Sequence, residues 1–291
     1  MISRRRFFGA TAGAAAAAGR VLSADSKSST LCLFSKHLPD LNYEELGRTV
    51  RDLGFAGVDL TVRAKGHVLP ERAVDDLPKA VETLSRYGLA VPMITTEITS
   101  ASDPTAVPIL RTAARLGVGY FKPGYWRYGK TDPVARVKEV GADVRELARL
   151  AGEHRIVMGL HNHSGDYVGE AVWETWEMIR DLDPKWTGFY YDPGHAAVEG
   201  GLGGHDVSLR LALGRLKMVA LKDFFWRRED SGWKSVWCPM GEGAVDWKSF
   251  FGTIHQAGYR GPISLHVEYS PKDMLAALRH DVGFLKERTF L

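Results

Sequence analysis

Two histidines stand two apart at the end of an apolar run, Ile156-Val157-Met158-Gly159-Leu160-His161-Asn162-His163-Ser164. Residues two apart on a strand share a face, so a strand here aims His161 and His163 the same way. The pattern recurs downstream. Phe189-Tyr190-Tyr191 runs into Asp192 and His195, Met218-Val219-Ala220-Leu221 into Lys222 and Asp223, and Ile263-Ser264-Leu265 into His266 and Glu268. Imidazole, carboxylate and amine groups at the ends of buried strands are equipped to bind a metal or to move a proton.

His161, Asp192 and His266 come from three of these strands. Two imidazoles and one carboxylate suit a borderline divalent ion (Mn, Fe, Co or Zn) and leave positions open for substrate oxygens. Each residue alone reads more readily as a hydrogen-bonded core or rim group; their convergence makes the metal site the expectation. His163 and His195 are expected one layer out, supporting the site or binding substrate hydroxyls, with a satisfied structural histidine as the alternative. Lys122 and Lys222 end apolar strands, where a lysine is costly unless it pairs or works. Either could polarise a carbonyl or hold an anionic group; a salt bridge, with Asp223 or Glu268 as partner, is the plain alternative. Glu268 and Glu97 are the carboxylate candidates for acid-base work, Glu268 on the face of His266 and nearer the mouth, Glu97 at the rim. His37, at the end of the first strand, joins the substrate-binding candidates. Trp126, with Tyr128, Phe224, Phe225, Trp226 and Trp237, crowds the loops after strands, where aromatic faces suit a sugar ring or simply cap the core.

These residues need elements that bring strand ends together, and the chain alternates accordingly. Strands are expected at Leu31–Phe34, Gly57–Val62, Ala90–Thr96 and Tyr120–Lys122, ahead of the four already described. Helices are expected at Tyr43–Leu53, Pro70–Tyr87, Pro104–Leu116, Pro133–Gly152, Val172–Leu182, Asp206–Leu213, Trp247–Ala257 and after Pro271, several begun by proline and ended by glycine. Parallel strands need such crossovers. An open doubly wound sheet would show a glycine-rich turn after its first strand, and Ser35-Lys36-His37-Leu38-Pro39 is none. A chain of 291 residues with polar strand ends therefore predicts an α/β fold, a single (β/α)8 barrel over residues 31–291, roughly the size typical of that architecture. Gly241-Glu242-Gly243 reads as a plain turn and Asp246 as a helix N-cap.

The net charge of +3 is misleading. Residues 1–24 carry Arg4, Arg5, Arg6 and Arg20 and no acid, and removing those four charges leaves −1. The body has no basic excess for nucleic acid. Two cysteines, Cys32 and Cys238, exclude a disulfide framework, and Cys32 reads as a buried thiol. Ser3-Arg4-Arg5-Arg6-Phe7-Phe8 followed by an Ala/Gly run resembles a twin-arginine export signal, too short and too rich in alanine to hold a membrane span. Residues 1–24 are thus expected to direct the protein to the periplasm, and 25–30 to be a linker.

The pieces Gly159-Leu160-His161-Asn162-His163, Asp192-Pro193-Gly194-His195, Leu221-Lys222-Asp223, Gly241-Glu242-Gly243 with Asp246-Trp247 and Phe250, and Gly258-Tyr259-Arg260-Gly261-Pro262-Ile263 resemble the xylose isomerase-like TIM-barrel family of sugar (phosphate) isomerases and epimerases. The resemblance covers the chain from Leu31 onward. It implies one divalent metal, often Mn, held by Glu, Asp, His and Glu at the ends of strands five to eight, with the two glutamates moving a proton beside a carbonyl. This chain departs from that pattern. It has His161 and His266 at the glutamate positions, Ala220 at the histidine position, and keeps only Asp192. Three ligands with two neutral imidazoles would bind hard cations more weakly; alternatively His161 and His266 are themselves an acid-base pair. The expectation is a sugar or keto-sugar isomerase or epimerase with a small-molecule substrate, assisted by one divalent ion (Mn, Zn, Co or Fe). A lyase or hydrolase on the same barrel, or a non-catalytic sugar-binding barrel, is the alternative. The DNA-repair branch of the fold would need a multi-zinc cluster and a basic groove, which the charge does not offer. Neither a nucleic-acid partner nor a membrane span is expected, and a homo-oligomer is compatible with the fold.

Overall fold

The computed structural model describes residues 29–288. The expected leader and most of the linker lie outside them.

Short apolar segments, buried on both faces, form a closed ring of parallel strands. In chain order the elements are β1 (Leu31–Phe34), α1 (Tyr43–Asp52), β2 (Gly57–Val62), α2 (Ala73–Arg86), β3 (Ala90–Thr96), α3 (Ala106–Arg115), β4 (Tyr120–Lys122), α4 (Pro133–His154), β5 (Val157–His161), α5 (Val172–Ile179), β6 (Thr187–Tyr191), α6 (Pro193–Ala212), β7 (Leu216–Leu221), β8 (Asp223–Glu229), β9 (Gly232–Cys238), α7 (Trp247–Gln256), β10 (Ile263–Leu265) and α8 (Met274–Glu287). The barrel runs β1-β10-β7-β6-β5-β4-β3-β2 and closes on β1. Register brings equivalent strand ends level: Phe34 pairs with Asp59, His161 with Tyr190 and Leu265 with Leu221.

The main core lies between the outer strand faces and the helices, where Leu46, Leu77, Leu110, Leu147 and Leu278 are buried against Leu33, Leu60, Ile94 and Phe121. A second cluster of Met93, Tyr190, Met218 and Ala220 fills the barrel itself. The helices start as their sequences direct. Asn42 and Glu45 form a capping box, and Asp132, Asp246 and Asp273 each accept a backbone N–H at their N-termini. The expectation for Asp246 holds, as does burial of Cys32.

Three expectations are corrected. Helix α6 begins at Pro193, not near Asp206, because Asp192 caps it and Pro193 supplies the preset φ of a first helical turn; Gly201, at φ 65°, interrupts it. The aromatic stretch after β7 is not a loop but an antiparallel hairpin, β8 with β9. The hairpin is followed by a turn held from below by Asp223, whose carboxylate accepts from the backbone N–H groups of Phe224, Gly241, Gly243 and Val245 and from Trp247 Nε1. A Cβ on Gly243 would lie 2.0 Å from Asp223 Oδ1, so only glycine fits there. Asp223 is therefore not the partner of Lys222. No helix among the described residues is long and apolar enough to cross a membrane.

Candidate active site

At the end of the barrel where all eight strands finish, a cavity is lined by Phe34, Lys36, Arg63, Thr95, Lys122, Tyr125, His161, His163, Tyr190, Lys222, His266 and Glu268. Strand ends are where a barrel of this kind builds its active site. Of the residues expected from sequence, Lys122, Lys222, His161, His163, His266 and Glu268 meet here.

Lys222, at the end of β7, organises one side. Its ammonium lies 3.2 Å from Asp192 Oδ2 and 3.7 Å from Glu268 Oε1, and donates to His195 Nε2 at 3.0 Å. His195 Nδ1 faces Ser164, whose backbone N–H donates to it at 3.3 Å and whose Oγ lies 2.8 Å away. Asp192 is fixed twice: Asn162 exchanges two hydrogen bonds with its backbone, and its own Oδ1 accepts from His195 N as the cap of α6. That leaves Oδ2 facing Lys222 and His161. Asp192 and His195 stand behind Lys222 and do not line the cavity.

His161 bridges the other way. Its Nε2 lies 3.3 Å from Asp192 Oδ2, and its Nδ1 is 2.9 Å from Tyr125 Oη. Tyr125 Oη and Nδ1 share that hydrogen bond, while Nε2, though it faces the carboxylate, forms none. The tautomer of His266 follows from its partners. Tyr190 and Ser264 both donate to Asp59 Oδ2, so the hydrogen bonds of 3.1 and 3.2 Å between them and His266 Nε2 need a proton on that nitrogen. Nδ1 of His266, 3.8 Å from Glu268 Oε1, is left without one. Phe34 stacks on this imidazole at 4.4 Å.

Burial, then the charge of Lys222, push His161, His195 and His266 well below the ordinary histidine value, and His163 to about 4. The cavity histidines are neutral at neutral pH. Glu268 behaves oppositely. Burial pulls its carboxyl up, but Lys222 and Lys36 outweigh that and hold it at about 2. Lys36 bonds both of its oxygens, at 2.7 and 3.0 Å. Burial raises the Tyr125 hydroxyl well above its ordinary value, so it remains a donor.

Three expected site residues lie elsewhere. His37 is buried and its Nε2 accepts from Val267 N at 3.0 Å, bracing the end of β10. Trp126 is buried, with its indole donating to Thr99 O. Glu97 is exposed and off the cavity wall. Conversely, Lys36, Arg63 and Tyr125, each just past a strand, line the cavity although no pattern marks them. Position after an apolar strand was the available signal, and it applied to them as much as to Lys222.

The donor set does not fit a resident divalent ion. His161 Nε2 and Asp192 Oδ2 are buried, adjacent and without hydrogen-bond partners, which gives two donors. The third, His266, turns its Nε2 to Tyr190 and Ser264, and its ring centroid is 6.1 Å from that of His161. Ala220 offers no donor, and the ammonium of Lys222 already lies against Asp192 Oδ2. No group of three His, Cys, Asp or Glu among the described residues is arranged to hold a metal. The three-ligand site expected from the sequence is not assembled: His266 turns its Nε2 to Tyr190 and Ser264, and the Lys222 ammonium lies against Asp192 Oδ2.

The profile of the xylose isomerase-like TIM barrel family matches residues 48–288. The chain belongs to that family. Among curated relatives, an inosose dehydratase of Bacillus velezensis is 24% identical over 139 residues, 44% of this chain and 46% of the relative, so the chain spans about half the length of the relative it matches. Among solved structures, a 3-keto-D-glucoside 4-epimerase from E. coli superposes with a TM-score of 0.71 at 16% identity, covering 89% of this chain and all of that one. A xylose isomerase-like TIM barrel protein from Mycobacterium smegmatis, in complex with magnesium, superposes with a TM-score of 0.69 at 18% identity over 91% of this chain and 97% of that one. At such identities the likeness is one of fold.

Proposed function

We propose that this barrel moves a proton at the carbon beside the carbonyl of a sugar or keto-sugar, as an epimerase or isomerase. The observation that carries this is the opposition of Glu268 and Tyr125. Glu268 follows β10 and Tyr125 follows β4, which are four strands apart in a ring of eight and so face each other across the mouth. One is an ionised carboxylate, the other a protonated hydroxyl, and Lys222 reaches the cavity between them.

In this mechanism Glu268 takes the proton from carbon, and the electron pair passes to the carbonyl oxygen. The Lys222 ammonium, held by Asp192 and His195, stabilises that oxyanion, an effect worth about 10²–10³ in rate for one well-placed donor. Tyr125 delivers its proton to the opposite face of the enediolate carbon. Glu268 then releases its proton to solvent, and the phenolate takes one back.

The divalent metal implied by the family resemblance enters no step of this proposal, because the charge it would supply is the charge of Lys222. Elimination of water from a keto-sugar begins with the same abstraction and is the second reading. The dehydratase relative favours it. A non-catalytic sugar-binding barrel would need neither an ionised carboxylate nor an opposed donor. Incubating the protein in deuterated water with a panel of sugars and keto-sugars separates these readings. Deuterium appearing beside the carbonyl, with epimer or dehydrated product, supports the enzyme and names its branch; binding without exchange in any sugar supports the binder. We further propose that residues 1–24 export the folded barrel to the periplasm. Fractionation of cells expressing the Arg4→Lys, Arg5→Lys double variant tests this, with retention in the cytoplasm expected.

A further inference from the structure

Four cations line the cavity but only two have a carboxylate partner. Lys36 is paired with Glu268, and Lys222 with Asp192 and Glu268. Lys122, at the end of β4, and Arg63, just beyond β2, form no ion pair within 4 Å and no side-chain hydrogen bond among the described residues. Lys122 is 5% exposed, and its ammonium lies 3.3 Å from the centroid of the Tyr125 ring. Arg63 lies over Phe34 at 5.8 Å. The two charges feel each other: after burial, Arg63 is the next cause holding the Lys122 amine well below its ordinary value. Asp59 and Glu97 act on Lys122 only from beyond ion-pair reach. Asp59 is also fully occupied by Thr95, Tyr190 and Ser264.

Two like charges held together without a counter-charge, one of them buried, are costly in the empty protein. The cost is recovered when an anion binds between them, since a buried ammonium and a guanidinium fork form strong charge-assisted hydrogen bonds to an oxyanion. We propose that Arg63 and Lys122 form an anion pocket that takes the carboxylate of a sugar acid, making the substrate an oxidised sugar rather than a neutral one. The pocket sits on the β2–β4 wall, with Lys122 against the Tyr125 ring and Arg63 over Phe34. This deepens the proton-transfer reading, and rests on it for where the reacting carbon lies; recognition of the anion is independent of turnover. A carboxylate and a phosphoryl group share the chemistry that would be recognised here.

Calorimetric binding of glucuronate, galacturonate and gluconate, each against its neutral parent sugar, and of glucose 6-phosphate, tests the pocket without requiring catalysis. At least one acid is expected to bind about tenfold or more tighter than its parent, the scale of one hydrogen bond to a charged group. Arg63→Gln and Lys122→Met are each expected to erase that preference while leaving the weak binding of the neutral sugar in place. Arg63 is partly exposed, so its variant keeps the test open if Lys122→Met fails to fold. Tighter binding of glucose 6-phosphate, lost in the same variants, supports the anion pocket and assigns it a phosphoryl group. Acids and neutral sugars binding alike, or variants that weaken both equally, would overturn the proposal. If the acids bind as expected but no deuterium enters any of them, the pocket stands and the proton-transfer reading falls.

Discussion

The ammonium of Lys222 lies 3.2 Å from Asp192 Oδ2, with both side chains buried at the floor of the cavity. A buried pair of this kind adds little net stability but is damaging to break, since removing one partner strands the other charge. Lys222→Met is therefore expected to lower the rate of deuterium exchange by about 10²–10³. It is also expected to destabilise the fold by about 3–5 kcal/mol through the unpaired Asp192. Adding Asp192→Asn to Lys222→Met should restore much of the stability and none of the activity, as read by urea denaturation beside the exchange assay. Recovery of both together would mean that Lys222 only holds the structure.

Tyr125→Phe separates the two halves of the reaction. Glu268 still faces the substrate, so deuterium should still enter the starting sugar acid or keto-sugar. Inversion should fall by about 10²-fold or more, the scale of one general acid. A variant that inverts configuration at the wild-type rate would remove Tyr125 from the mechanism.

Glu268→Gln is expected to lose exchange and inversion together, by about 10²–10⁴-fold. Its amide still accepts from Lys36, so the melting temperature should change little for an exchanged side chain that is a quarter exposed. Unchanged exchange would shift the role of base to His266 Nδ1, the unprotonated nitrogen beside it.

Acid should weaken the barrel before it reaches the carboxylate range. Burial holds His161, His195 and His266 well below 6.5, His163 at about 4 and His37 at about 3. The unfolded chain, with ordinary histidines, binds more protons as pH falls below 6.5, and stability falls with it. Asp59, raised to about 6 by burial, works in the opposite sense between 6 and 3.8, because there the folded state holds the extra proton. One aspartate offsets about one histidine, at up to about 1.4 kcal/mol per pH unit each. The depressed Glu268 adds its loss only below 4.5. Urea midpoints should thus drop from pH 7 to pH 5. A flat or rising profile would show that these histidines are not neutral in the folded protein.

Much of this arrangement was legible in the sequence because strands buried on both faces announce themselves as apolar runs, and helices between them are marked by proline and glycine. His161, Lys222 and Glu268 stood out as polar groups at the ends of such runs. What the residues do there was less legible. His161, Asp192 and His266 share strand-end positions, yet the rotation of one imidazole toward Tyr190 and Ser264 dissolves the expected ligand set, and no spacing encodes that rotation. Lys36, Arg63 and Tyr125 carry no motif; only tertiary contact brings them to the cavity. The hairpin after β7 hid because its aromatic and basic residues read as loop, although Gly232 at φ 118° turns the chain between two alternating strands. The start of α6 was recoverable: Asp192 followed by Pro193 is a cap and a first turn.

The central claim is that Lys222 supplies the positive charge for proton transfer. The most direct test is deuterium exchange into a substrate sugar acid or keto-sugar by protein stripped with a chelator, set beside Lys222→Met with and without added Mn. The account predicts that chelation leaves wild-type exchange unchanged and that Mn does not rescue the variant. Exchange that disappears on chelation and returns with Mn would contradict it.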